Sequence, residues 1–166
     1  MLQLKKIKKE AIPGALDKID RYRLLNDPVE AESICRDILI IEPDNQDAIV
    51  RLILTLTDQF HRGVSTKEPL SLIAKVKNKY QCEYYKGIIY ERQAKASIAK
   101  GMTDYKHNAY EWLEDAMEAF EKADKLSPPD NSDAILRWNA CLRTIEKYHL
   151  TERPAEATNR LYMPLE

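Results

Sequence analysis

Ala116-Met117-Glu118-Ala119-Phe120-Glu121-Lys122-Ala123-Asp124-Lys125-Leu126-Ser127-Pro128 is the most informative segment of the chain. Ala116, Phe120 and Ala123 are spaced by four and three residues, which places them on one face of an α-helix. Charged residues fill the opposite face. Pro128 marks the stop, because proline disfavours the helical conformation of the residue before it. Upstream, Tyr110 and Leu113 carry the same stripe, so the segment reads as the second half of one amphipathic helix that follows a break at 104–108.

The pattern occurs twice. Ala31, Cys35, Ile38 and Pro43 stand 85 residues before Ala116, Phe120, Ala123 and Pro128. A shorter offset links the residues between them: Ala48 and Cys82, Ile53 and Gly87, and Leu56 and Tyr90 are each 34 residues apart. The longer offset equals two of the shorter plus 17, so an extension of that size near 93–109 reconciles both. A 34-residue helix–turn–helix period is a signature of repeat proteins.

Outside these segments the same reading predicts short connections between amphipathic helices. Pro13 and Gly14 open a first helix with Leu16, Ile19, Tyr22 and Leu25 on one face, and Asn26-Asp27-Pro28 ends it. Asp27 is placed to cap the second helix, with Pro28 at its first position. Asn45 opens a third helix over 45–61. Gly63 to Thr66 form a loop, and a weaker fourth helix covers 67–79 with Leu70, Ile73, Ala74 and Val76 inward. A fifth covers 81–100, closed by Gly101. Asn131 or Ser132 caps a seventh, with Ile135, Trp138, Leu142 and Ile145 inward; Leu126 is expected inward on the sixth. Short connections imply antiparallel neighbours.

Composition excludes several classes. The chain of 166 residues is 44% hydrophobic and 32% charged, too apolar for a disordered polymer, and only four glycines interrupt it. Basic and acidic residues nearly cancel, at a net charge of −1. That balance argues against nucleic acid as a partner. The basic run Lys5-Lys6-Ile7-Lys8-Lys9 reads first as a solvated end, and as an anchor for membrane or nucleic acid only second. No apolar run approaches the ~20 residues of a membrane span, and no secretory segment is read. Cys35, Cys82 and Cys141 are odd in number and widely spaced, which fits reduced thiols and a cytoplasmic setting better than a disulfide framework. His61, His107 and His149 lie in separate segments without metal-ligand spacing, and no glycine-rich phosphate loop is present. The expectation is a protein that is not an enzyme and takes no cofactor or metal.

The 116–128 segment resembles the second helix of a tetratricopeptide repeat. The family pattern is a small residue, an aromatic four later, an alanine three after that and a proline five further on; Ala116, Phe120, Ala123 and Pro128 supply these. Glu83-Tyr84-Tyr85-Lys86-Gly87-Ile88-Ile89-Tyr90-Glu91 resembles a first helix, where the family favours Gly followed three later by Tyr. Segment 31–43, followed by Asn45 and Ala48, is a further match. The resemblance covers roughly 15–149 and is thinnest over 67–79. Lys86 stands where the family is apolar, and Ile53 and Asn139 where it is small.

The resemblance implies an all-α fold: an α-solenoid of antiparallel helix pairs, a right-handed superhelix of about seven helices, the seventh acting as a cap. It also implies that the first helix of each pair lines a concave groove. That assigns Arg51, Leu54 and Asp58, with Asp47 and Val50, from the third helix. The fifth supplies Tyr84, Tyr85, Ile88 and Arg92, with Glu91. The seventh supplies Arg137 and Arg143, with Leu136 and Ala140. Tyr84 and Tyr85 would be rigid aromatic anchors. Arg51, Arg92, Arg137 and Arg143 would form a cationic track, suited to an acidic segment or C-terminal carboxylate of another protein, because guanidinium binds carboxylate bidentately. The competing reading is that these arginines are solvated and paired with Asp58 or Glu91. The asparagines with which some family members clamp a C-terminus are missing at the matching places.

The expected function is a protein–protein interaction module, an adaptor, scaffold or assembly factor. A dedicated chaperone of one client is the alternative, a helical enzyme or ligand carrier a weaker one, and self-association through repeat ends stays open. The expected divisions are a basic segment at 1–12, a repeat domain at 13–149 extended near 93–109, and a tail at 150–166. The extension reads either as a projecting hairpin specific to a partner or as tolerated length variation. In the tail, Leu161-Tyr162-Met163-Pro164-Leu165 is an apolar peptide suited to a groove in its own chain or a neighbour's, and Leu165-Glu166 also matches a cloning junction.

Overall fold

The computed structural model describes residues 1–154. The expectations for Leu161 to Glu166 therefore lie outside the described residues. Within them the protein is all-helical, with seven α-helices and no strand. These are α1 (Ile12–Leu24), α2 (Pro28–Ile41), α3 (Gln46–Thr57), α4 (Lys67–Ile73), α5 (Lys79–Lys100), α6 (Tyr105–Asp124) and α7 (Asp133–Tyr148). Short 3-10 turns, Lys9–Ala11 and Phe60–Arg62, precede α1 and follow α3.

Local chemistry sets the boundaries. Asp27 caps α2 by accepting the Glu30 N–H at 3.4 Å, and Asn45 caps α3 by accepting the Ala48 N–H at 2.9 Å. Asn131, not Ser132, supplies the bond at the start of α7, accepting from the Asp133 N–H at 2.9 Å. Gly101 ends α5 in the left-handed conformation, at φ 59°. Four expected boundaries shift, the sixth helix starting at Tyr105 inside the expected break at 104–108. The third helix stops at Thr57 and continues as the 3-10 turn. The fourth ends at Ile73, well short of 79. The fifth begins at Lys79 because Asn78 caps it, accepting from the Gln81 N–H at 3.0 Å.

Each helix packs on its neighbour in the chain, α3 and α4 both meet α5, and α1 and α3 also touch. Two cores result. The first gathers Ile19, Ala31, Cys35, Ile38, Ile49, Leu52, Ile53, Leu56 and Phe60 from the first half of the chain. The second gathers Leu113, Ala116, Phe120, Ala123, Ala134, Cys141 and Leu150. Helix α5 serves both: Ile89 and Ala96 belong to the first core, Ile88 and Ala94 to the second. Gly87 makes the α5–α6 approach. A Cβ built there would lie 2.5 Å from Phe120 Cε1, so only glycine lets this ring seat.

Several residues expected to face inward are exposed. Leu25 is 69% exposed because α1 has already ended at Leu24. Leu126 lies beyond α6. Ile135 and Leu142 are on α7, which has no following helix among the described residues to cover its outer side.

The extension continues α5 and α6 and ends in an exposed turn at 101–104. Its turns lengthen α5 and α6 to about 33 and 30 Å, and both flanks are used. The Phe60–Arg62 turn packs against α5 on one side. On the other, the chain after α7 returns across the start of α6: Leu150 is buried, His107 Nδ1 lies 2.9 Å from the Thr151 carbonyl oxygen, and Arg153 Nη2 donates to Asn108 Oδ1 at 2.7 Å. The folded body thus runs past the expected boundary at 149.

Cys35 and Cys141 are fully enclosed in the two cores, and burial pushes each thiol up to about 12. In the unfolded chain a thiol ionises from its ordinary 9.0, while the folded thiols stay protonated. The folded state therefore holds the extra protons, and this part of its stability is complete below pH 9 and lost as pH rises from 9 toward 12. By pH 10 the loss is about 1 kcal/mol per thiol. Urea unfolding at pH 8 and pH 10 measures it; in a Cys35→Ala/Cys141→Ala variant the alkaline loss shrinks by about 2 kcal/mol, the sum for the two thiols. An unchanged pH response in the variant would contradict the assignment.

Candidate partner-binding face

The odd-numbered helices meet side by side, α1 with α3 and α3 with α5. Along this row their polar side chains do not point singly into solvent; they pair across the helix boundaries. Arg51 on α3 reaches Asp20 on α1, Nη2 to Oδ2 at 2.8 Å, and Asp47 at 3.6 Å. Arg23 on α1 donates from Nε to Asp58 Oδ2 at 2.7 Å. Arg92 on α5 donates to the other Asp58 oxygen, to Thr57 Oγ1 at 2.7 Å and to the Leu54 carbonyl at 3.3 Å. Arg137 on α7 lies 3.4 Å from Glu91 on α5, which also holds Lys95 one turn along.

Two clusters stand out within this ladder. Asp58 sits between Arg23 and Arg92, and Glu91 sits between Lys95 and Arg137. Each has one carboxylate shared by two cations and so keeps a net positive charge. Glu91 is 1% exposed, a position tolerable for a charge only because both partners reach it. Burial, reinforced by the neighbouring Arg23 and Arg137, pulls the Arg92 guanidinium below its usual range against the pull of Asp58.

The expected groove residues divide accordingly. Arg51, Arg92 and Arg137 are partners in the ladder, and Asp58 is one of its hubs. Arg143 is exposed and has no ion pair among the described residues. Leu54 is half-buried against the second core. Tyr84 and Tyr85 form an aromatic cluster instead of standing free. Tyr84 stacks on Tyr80 with centroids 5.6 Å apart, meets Tyr85 edge-on at 5.4 Å and touches Phe120 at 5.8 Å. Ile88 is buried in the second core and supports the face without being open to a partner.

Asp20 and Arg23 on α1 escape a reading of single helices, whereas the pairs Arg92–Asp58 and Arg137–Glu91 follow the competing reading of the arginines. One signal for the ladder is nevertheless in the sequence: Asp58 and Arg92 are 34 residues apart, one repeat period, and carry opposite charges. Residues at equivalent points of consecutive repeats become neighbours on stacking.

Beside the ladder, a cleft of about 440 Å³ is bounded by Asp20, Arg23, Leu24, Asn26, Pro28 and Asp58. Between α6 and α7 a more apolar one of about 270 Å³ is bounded by Phe120, Asp124, Ala134, Ile135 and Trp138. Among the described residues no group of three His, Cys, Asp or Glu side chains is placed to hold a metal ion, and no helix is long and apolar enough to cross a membrane. Cys82 is turned toward the α4–α5 connection, where its Sγ lies 3.0 Å from the Val76 carbonyl oxygen. Compared with family models, curated proteins and solved structures, the chain gives no match.

Proposed function

We propose that this protein is a helical-repeat interaction module of tetratricopeptide type, which takes a segment of another protein along a concave face built from α1, α3, α5 and α7. The observation that carries the reading is the ladder with two cations on each central carboxylate. It is continuous across four helices and positive at two places. A carboxylate of a bound segment completes each cluster, sharing guanidinium protons that Asp58 and Glu91 alone do not consume. The partner segment is therefore acidic. Three free thiols, two of them in the cores, suit a reducing cytoplasm.

Fluorescence anisotropy tests this with matched peptides rich in Asp and Glu, in Asn and Gln, or in Lys. At low salt the acidic peptide binds roughly tenfold tighter than the neutral one, and the advantage fades as salt rises. Arg143→Glu weakens the acidic peptide several-fold and leaves the fold intact, because that side chain is solvent-exposed. Reversing Arg51, Arg92 or Arg137 is unsuitable, since each would face an acidic partner and disturb the stack. Equal binding of all three peptides, or preference for the basic one, would remove the acidic-segment reading.

A further inference from the structure

The charge of this nearly neutral chain is unevenly placed. Four of its 26 basic residues lie within the first nine positions, which hold no acidic residue; the rest of the chain has 22 basic against 27 acidic. In the fold this basic segment has no regular secondary structure; Lys8 is extended and leads into the 3-10 turn Lys9–Ala11. Lys5, Lys6 and Lys8 are exposed, and Lys9 pairs with Glu42 at 3.2 Å. Met1 and Leu2 are fully exposed, and Leu4 is 82% exposed. Ile7 alone turns inward against the first core, beside Ala15, Tyr22 and Ile34, and fastens the segment to the body.

We infer that the segment from Met1 to Lys9 docks this protein onto anionic phospholipid surfaces, its lysines against the headgroups and Met1, Leu2 and Leu4 in the acyl boundary. This inference is independent of the proposed peptide groove. A short apolar anchor or a polybasic patch is by itself a marginal membrane signal, whereas the two together give stable attachment. Nucleic acid fits less well. Its phosphates would match the lysines, but the segment has no arginine for base edges and no aromatic ring for stacking, and its three apolar side chains would find no partner there.

Sedimentation of the full chain with vesicles tests the inference. At low salt the protein binds phosphatidylserine-rich vesicles roughly 100-fold tighter than phosphatidylcholine vesicles, a preference that high salt largely abolishes. A Lys5→Gln/Lys6→Gln/Lys8→Gln variant, which leaves the Lys9–Glu42 pair in place, loses most of this preference while its helical spectrum stays unchanged. Leu2→Ser/Leu4→Ser weakens binding about tenfold without changing its salt dependence. Failure of the wild-type chain to sediment with anionic vesicles at low salt would overturn the inference. So would lysine variants that bind as tightly as wild type, or binding of single-stranded RNA in preference to vesicles.

Discussion

Replacing Phe120 with alanine lowers the free energy of unfolding by about 3–5 kcal/mol and the thermal midpoint by about 6–20 °C. The ring is fully buried at the centre of the second core, seated on Gly87 and 5.8 Å from the Tyr84 ring. Many of its neighbours, Ala94, Ala116 and Ala123 among them, are too small to collapse into the space it leaves. Gly87→Ala tests the same contact from the other side. Its new methyl group meets three atoms of the ring at 2.5–2.8 Å, at a cost of about 1–3 kcal/mol that the better helix propensity of alanine offsets by about 1. With the ring gone the methyl has room, so Gly87→Ala becomes stabilising in the Phe120→Ala background. Urea unfolding of the four proteins closes this cycle, and additive effects would mean that the two residues do not meet as described.

Asp58→Ala has the next largest effect, a loss of about 2–4 kcal/mol. Among the described residues Asp58 is the only carboxylate between Arg23 and Arg92, whose side chains are 20% and 25% exposed. Removing it leaves two half-buried guanidinium groups facing one another. The range is set below that for a fully buried pair because water still reaches all three side chains. Asp58→Asn keeps the shape and removes the charge, and it loses nearly as much. Because the loss comes from cation repulsion, high salt recovers part of it. Chemical denaturation of the two variants at low and high salt decides the matter; rescue by asparagine would show that shape and hydrogen bonding, and not charge, are what Asp58 contributes.

The helices were legible because their signals are local. The Asp27 and Asn45 caps, the Gly101 stop and the Ala116–Phe120–Ala123 stripe each depend on residues within a few positions. Elsewhere the deciding interaction is distant or rests on one residue. Asn78 caps α5 and sets its start two residues before the expected one. Ile88 reads as available to a partner, but it is buried in the second core. The extension reads as a hairpin or as spare length, because nothing in 93–109 announces that Leu150 and Arg153 return to it. The arginines are the clearest case. Their side of each helix and two of their partners, Asp58 and Glu91, are readable, while Asp20 and Arg23 join them only once α1 packs beside α3.

Helix α5 contributes Ile89 to one core and Ile88 to the other. Neighbouring residues in one rigid element are thus committed to opposite halves of the molecule. Neither half can loosen without exposing part of the surface that the other needs, so the halves do not behave as independent folding units. The two cores are thereby made to melt as one.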